Sequence, residues 1–168
     1  MNRIAVVGIG GSGKSYAGRR IAEITRLPLI HMDNLFWKGK WEEIPEIEYV
    51  ANHEEIIKAD QWVIEGYIDE AMSDRFRRAE MIVYLDYSGI RCFFRAMKRW
   101  WQHRKIARQE LHAEAVEEFD PNYLFKVVLF RQDRPGIEKA LKKAGNPEVI
   151  RLYTPSEFEK FLLTLPTS

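Results

Sequence analysis

Ile4-Ala5-Val6-Val7-Gly8-Ile9-Gly10-Gly11-Ser12-Gly13-Lys14-Ser15 decides the fold of this chain. The opening apolar run has the length and composition of a buried parallel strand, and the stretch from Gly8 to Ser15 reads G-x-x-x-x-G-K-S. Behind it, Ala17, Ile21, Ala22 and Ile24 recur at helical spacing. Strand, glycine-rich turn and helix in that order are the setting of a phosphate-binding loop. In such a loop the backbone of Gly8, Gly10, Gly11, Ser12 and Gly13 curls its N–H groups around phosphate oxygens, and the helix N-terminus adds its dipole. Lys14 then reaches the outer phosphates, and the Ser15 hydroxyl ligates Mg²⁺. The expected ligands are ATP and Mg²⁺.

The same residues satisfy a second pattern. Gly8-x-Gly10-x-x-Gly13 is a dinucleotide fingerprint, and Asp33 lies 20 residues past Gly13, where a ribose-binding acid belongs. Three features count against it. The fingerprint does not require Lys14-Ser15, the chain has no room for a separate substrate domain, and a later arginine-rich segment suits phosphates better than a nicotinamide.

At 168 residues the chain reads as one domain, large enough for a substantial core. Hydrophobic residues make up 46% and charged residues 30%, which excludes disorder as the main state. A formal net charge of +1 predicts no bulk attraction to nucleic acid or membrane. The single cysteine, Cys92, excludes an intramolecular disulfide and reads as a buried structural thiol between Arg91 and Phe93-Phe94. No apolar stretch approaches the roughly 18 residues of a membrane span, and no signal-peptide pattern precedes the first strand. A cytoplasmic protein is expected.

Further strands are expected at 27–32, 61–65, 81–86 and 148–152, with helices at 47–58, 122–131, 135–143 and 155–163 and a long one capped by Ser88. A short polar segment joins the third strand to the fourth. The alternation predicts an α/β three-layer sandwich built on a mainly parallel sheet. Ligands in such sheets sit at the carboxyl ends of the strands. Asp33, Glu65 and Asp86 all fall there.

Phosphoryl transfer needs metal coordination, cations, a held acceptor and exclusion of water. Glu65 is the first choice for the metal side and Asp86 the second; capping a helix or pairing with an arginine is the alternative for each. Asp33 is placed to take a proton from an acceptor hydroxyl, or else to cap the turn after it. Seven cations (Arg91, Arg95, Lys98, Arg99, Arg104, Lys105, Arg108) lie between Asp86 and Glu110 with no acid among them. Arg95 and Arg99 are read as part of a closing lid, against the alternative of a solvated helix face. Arg131 and Arg134 form a second pair able to reach phosphates, and Arg75, Arg77 and Arg78 could hold an anionic acceptor. Trp37 and Trp41 could stack on a flat acceptor or pack against the domain. His31, His53, His103 and His112 show no metal-ligand spacing and read as structural or exposed.

These residues together resemble the DNA topology modulation proteins (FlaR-like), a branch of the adenylate-kinase-like P-loop kinases. The resemblance covers nearly the whole chain. It rests on the phosphate loop, His31-Met32-Asp33-Asn34-Leu35-Phe36-Trp37, Trp62-Val63-Ile64-Glu65-Gly66-Tyr67, Arg75-Phe76-Arg77-Arg78-Ala79-Glu80, the basic helix 95–104 and the segment 131–135. It implies a five-stranded sheet in the order 2-3-1-4-5, an acceptor region near 34–60 and a lid near 100–118. It assigns Lys14 and Ser15 to the nucleotide phosphates and metal, and Gly66 and Arg75 to the acceptor side. This chain departs from the family pattern in having Glu65-Gly66-Tyr67-Ile68 for Asp-Gly-Asn-Tyr, and Tyr16 for a smaller residue. The expected function is an ATP- and Mg²⁺-dependent kinase for a small hydroxyl or phosphate acceptor of nucleotide-like character. Two alternatives stay open: a nucleotide-binding regulator that engages DNA through 91–108, and a dinucleotide-binding protein.

Overall fold

Five parallel strands form the centre of the computed structural model, which describes residues 1–38, 42–66, 73–103, 119–145 and 147–166. In chain order the elements are β1 (Arg3–Gly8), α1 (Lys14–Thr25), β2 (Leu29–His31), the short α2 (Asp33–Phe36), and a small hairpin of β3 (Trp37–Lys38) and β4 (Glu42–Glu43). Then come α3 (Glu46–Ile57), β5 (Trp62–Glu65), α4 (Asp74–Arg78), β6 (Met81–Leu85) and α5 (Gly89–His103). A π-helix (Tyr123–Leu129), α6 (Arg134–Lys143), β7 (Glu148–Leu152) and α7 (Pro155–Leu162) complete the described chain. The main sheet runs β2-β5-β1-β6-β7, the expected order 2-3-1-4-5 when its own strands are counted.

Ile4 to Val7 of β1 are fully buried, which is why this strand reads as a continuous apolar run rather than an alternation. Its period of two still sorts the layers. Ile4 and Val6 pack with Ala17, Ile21, Cys92, Val128 and Phe158, from α1, α5, the π-helix and α7. Ala5 and Val7 pack on the other face with Tyr49, Phe76, Ile137 and Ala140, from α3, α4 and α6. The sheet is therefore covered on both sides, and its ligand-binding edge is the rim where β1, β2, β5 and β6 end.

Several local signals act as read. Ser88 Oγ accepts from Arg91 N at 3.4 Å at the start of α5, and Pro135 lies in the first turn of α6. Others differ. The segment expected as an α-helix at 122–131 is a π-helix, closed by Phe130 N donating to Phe125 O at 2.9 Å. Apolar spacing over so few residues does not separate a period of 3.6 from a wider turn. The polar connection before β6 contains α4, too short for any periodicity to declare it. The aromatic loop after Asp33 holds the β3–β4 hairpin; the Trp37 side chain and all of Trp41 lie outside the described residues. So does the expected lid beyond His103, with Arg104, Lys105, Arg108 and His112. Among the described residues no helix is long and apolar enough to cross a membrane.

Candidate active site

The loop between β1 and α1 is tightened by Ser12 N donating to Ile9 O at 3.2 Å, and Lys14 Nζ reaches back to the same carbonyl at 3.3 Å. Gly11 has φ +73°, and any Cβ there would collide with the Cys92 carbonyl of α5. Glycine is thus required both by conformation and by the helix packed on the loop. The Tyr123 hydroxyl sits equally close over Gly10, and the Arg95 guanidinium over Gly13. Cys92 itself is buried, and burial pushes its thiol up to about 11 despite the nearby Arg95, Lys14 and Arg91, as a structural thiol requires.

Arg95 also lies 6.0 Å from the centre of the Tyr87 ring. Beside them a small, solvent-open cleft is lined by Ser12, Gly13, Tyr16, Arg95, Pro155 and Phe158, among others. Tyr16 does not fill it. Its hydroxyl is 3.2 Å from Glu159 Oε1 and its ring meets Phe158 edge-on at 6.2 Å. Arg99, one turn beyond Arg95, lines a separate groove with Trp100, Phe119, Asp120 and Tyr123.

The three rim carboxylates have different surroundings. Glu65, the last residue of β5, has 1% of its side chain exposed and packs toward α1, where Gly18 leaves room for it. Its Oε1 accepts from His31 Nδ1 at 2.6 Å, while Oε2 is buried without a hydrogen-bond partner. Ser15 lies one helical turn before Gly18. A buried carboxylate oxygen without a partner, on a strand packed against the first turns of α1, fits Mg²⁺, which takes one or two protein carboxylates together with substrate phosphates. Among the described residues no group of His, Cys, Asp or Glu could hold a metal alone, so the phosphates would have to complete the set.

Asp33 opens α2. Gly66, at φ +134°, lets the backbone pass close to it: a Cβ there would stand 2.7 Å from Met32 Cβ and 3.4 Å from Asp33 Oδ1.

Asp86, second choice for the metal, takes the alternative weighed for it, pairing with arginines. Arg131 donates to its Oδ1, Arg134 binds it through Nε and a terminal nitrogen at 3.1 Å each, and Arg151 stands 3.7 Å away. Glu138 extends the network by accepting from Arg151 through both oxygens at 2.8 Å. Arg131 and Arg134, expected to reach phosphates, are therefore held by a carboxylate at the edge of the loop. Arg131 has φ +56°, a conformation costly for a residue with a side chain.

Of the three arginines expected to hold an anionic acceptor, Arg75 alone is turned inward. It is fully buried, its Nε donates to His53 Nε2 at 3.1 Å, and burial lowers its pKa against the opposing influence of Tyr49, Glu65 and Asp33. The exposed Arg78 donates to the Lys58 carbonyl at 3.2 Å, and Arg77 pairs with Asp74.

His53 is buried, and desolvation, then the Arg75 charge, lowers its pKa from 6.5 to about 3. The folded state disfavours the charged ring, so this contribution to stability is complete above about pH 6.5 and is lost as pH falls toward 3. His53→Gln keeps an acceptor for Arg75 but does not titrate. The decline in Tm between pH 6.5 and 4 should be shallower in this variant than in the wild type; equal slopes would refute the assignment.

Two residues were given no part in the site from the sequence, where His31 read as structural or exposed. His31 shows its role only through the register that pairs it with Glu65 on neighbouring strands. Asp133, at the start of α6, has its carboxyl raised by burial and lowered by Lys14, which places it within reach of the loop lysine's charge. Its position between two arginines was the only signal.

No protein-family model and no curated protein matches the chain. Solved structures do. Shikimate kinase from Acinetobacter baumannii, in complex with shikimate, aligns with TM-score 0.63 at 16% identity, covering 96% of this chain and 91% of that one. An unliganded sugar kinase from Janibacter gives 0.60 at 16% identity, over 98% and 93%. A gluconokinase from Sinorhizobium meliloti gives 0.58 at 17% identity, over 96% and 87%. The chain shares the fold of P-loop kinases; the narrower kinship with DNA topology modulation proteins has no support among these neighbours.

Proposed function

We propose that this protein is a kinase that transfers the γ-phosphoryl group of ATP to a small acceptor bearing a hydroxyl or phosphate. The observation that carries this reading is the glycine-built loop that leads into α1 at Lys14 and Ser15, with Glu65 packed against Gly18 one turn further along and one of its oxygens without a hydrogen-bond partner. The base would lie in the cleft beside Tyr16, Arg95 and Pro155. Lys14 would neutralise the outer phosphates, and Arg95 would cover the loop from α5. For a hydroxyl acceptor, its oxygen attacks the γ-phosphorus, the bond to the β-bridging oxygen breaks to release ADP, and Asp33 takes the hydroxyl proton. Mg²⁺, held from the protein side by Ser15 and Glu65, would supply charge neutralisation on the phosphate oxygens.

The neighbours named for shikimate, a sugar and gluconate support a small polar acceptor. The DNA-binding alternative draws no support from α5. Arg95 is turned onto the loop and Tyr87, and Arg99 lines a groove.

ADP release measured across nucleosides, nucleotides and small polyols tests the proposal. In that assay Asp33→Asn should lower turnover about a hundredfold or more while ATP affinity stays within about twofold. A comparable loss of ATP affinity would remove Asp33 from the acceptor side.

A further inference from the structure

We infer that His31 is a positioning residue for the metal-side carboxylate: it fixes Glu65 through Oε1 so that Oε2 alone is left to face the ion. The inference rests on the proposed role of Glu65 and assigns a function to a histidine that the reaction scheme does not use.

Glu65 has a flexible side chain, and a carboxylate free to rotate would present either oxygen, or neither, to a ligand. Two elements remove that freedom. From β2, His31 lies in register with Glu65 on the paired strand and donates from Nδ1 to Oε1 at 2.6 Å, the length of a charge-assisted hydrogen bond. From α1, a Cβ at Gly18 would meet Glu65 Cγ and Leu29 Cδ1 at 3.1 Å each, so the absence of a side chain there creates the slot that Glu65 occupies. Leu29 and His31 share a face of β2, and the position nearer the rim carries a ring with a donor where its neighbour carries an aliphatic chain.

The result is an asymmetric carboxylate. One oxygen is satisfied by a neutral-capable donor from the protein. The other, equally buried, has no hydrogen-bond partner. A buried polar atom left unsatisfied is costly unless a ligand completes it, and orienting a metal-binding carboxylate through its other oxygen is what outer hydrogen-bond partners do. His31 is 17% exposed, which leaves its ring at the edge of the site rather than within the core.

The test measures Mn²⁺ affinity of the ADP complex by electron paramagnetic resonance, and ADP affinity without metal by calorimetry in EDTA. His31→Leu removes the donor. His31→Asn keeps a donor at the Nδ1 position, and His31→Gln moves it one bond outward. His31→Leu and His31→Gln should weaken Mn²⁺ about tenfold or more, with metal-free ADP affinity within about twofold, and His31→Asn should recover most of the loss. Mn²⁺ affinity unchanged in His31→Leu, or in His31→Gln should the leucine variant not fold, would overturn the inference. So would an asparagine variant as weak as the leucine one, since ring packing rather than the hydrogen bond would then matter. Glu65→Gln separates the two claims. If it loses Mn²⁺ while His31→Leu does not, positioning fails and the metal role of Glu65 stands; if it binds Mn²⁺ normally, the metal role fails and takes this inference with it.

Discussion

Lys14→Ala should lower ATP turnover at least about a hundredfold and weaken ATP binding, with little change in fold stability. The stability expectation follows from the contacts the side chain makes. Lys14 Nζ donates to the Ile9 carbonyl at 3.3 Å, and a part-buried bond of this kind is worth about 1 kcal/mol. The functional expectation follows from place. The ammonium group lies across the loop in which the proposed phosphates would sit, and it counters the burial-driven rise of the Asp133 carboxyl. Calorimetry with ATP and Mg²⁺, set beside a thermal melt, separates the two. Undiminished ATP affinity in a folded Lys14→Ala protein would remove the phosphate loop as the nucleotide site.

Asp86→Asn should have the largest effect on stability among the rim positions. The carboxylate is 2% exposed and faces Arg131, Arg134 and Arg151, so removing its charge leaves three guanidinium groups without their shared counter-ion. Those arginines are 27–38% exposed, and solvent screens part of the loss. A cost of about 2 kcal/mol follows, or a Tm lower by about 4–8 °C for a chain of this size. Mn²⁺ affinity of the ADP complex should stay within about twofold. A variant with an unchanged Tm and a tenfold loss of Mn²⁺ would return Asp86 to the metal.

The contrast between these carboxylates shows what a sequence can and cannot carry. Strand ends are legible because apolar runs stop at polar residues, and Glu65 and Asp86 were found that way. Their partners were not legible. Asp86 meets arginines 45, 48 and 65 positions away, from an irregular turn and a neighbouring strand. Glu65 meets His31 through sheet register, which parallel strands fix only after the crossover between them has packed. The turn itself was legible, since a strand, a glycine run and a helix are local signals, but what stands over its glycines was not: the Cys92 carbonyl, the Tyr123 hydroxyl and the Arg95 guanidinium come from distant parts of the chain. Which of the three arginines at 75, 77 and 78 turns inward was not legible: the sequence requires that they face different ways, and only the tertiary packing of α4 buries Arg75 and exposes the other two.

The cover over the phosphate loop has a mechanical consequence. With the carbonyl of Cys92 seated on Gly11 and the guanidinium of Arg95 on Gly13, the loop has no slack against α5. A displacement of α5 at this contact would therefore have to be matched at Gly11, where the two backbones meet, and would carry into the turn in which the proposed nucleotide would sit.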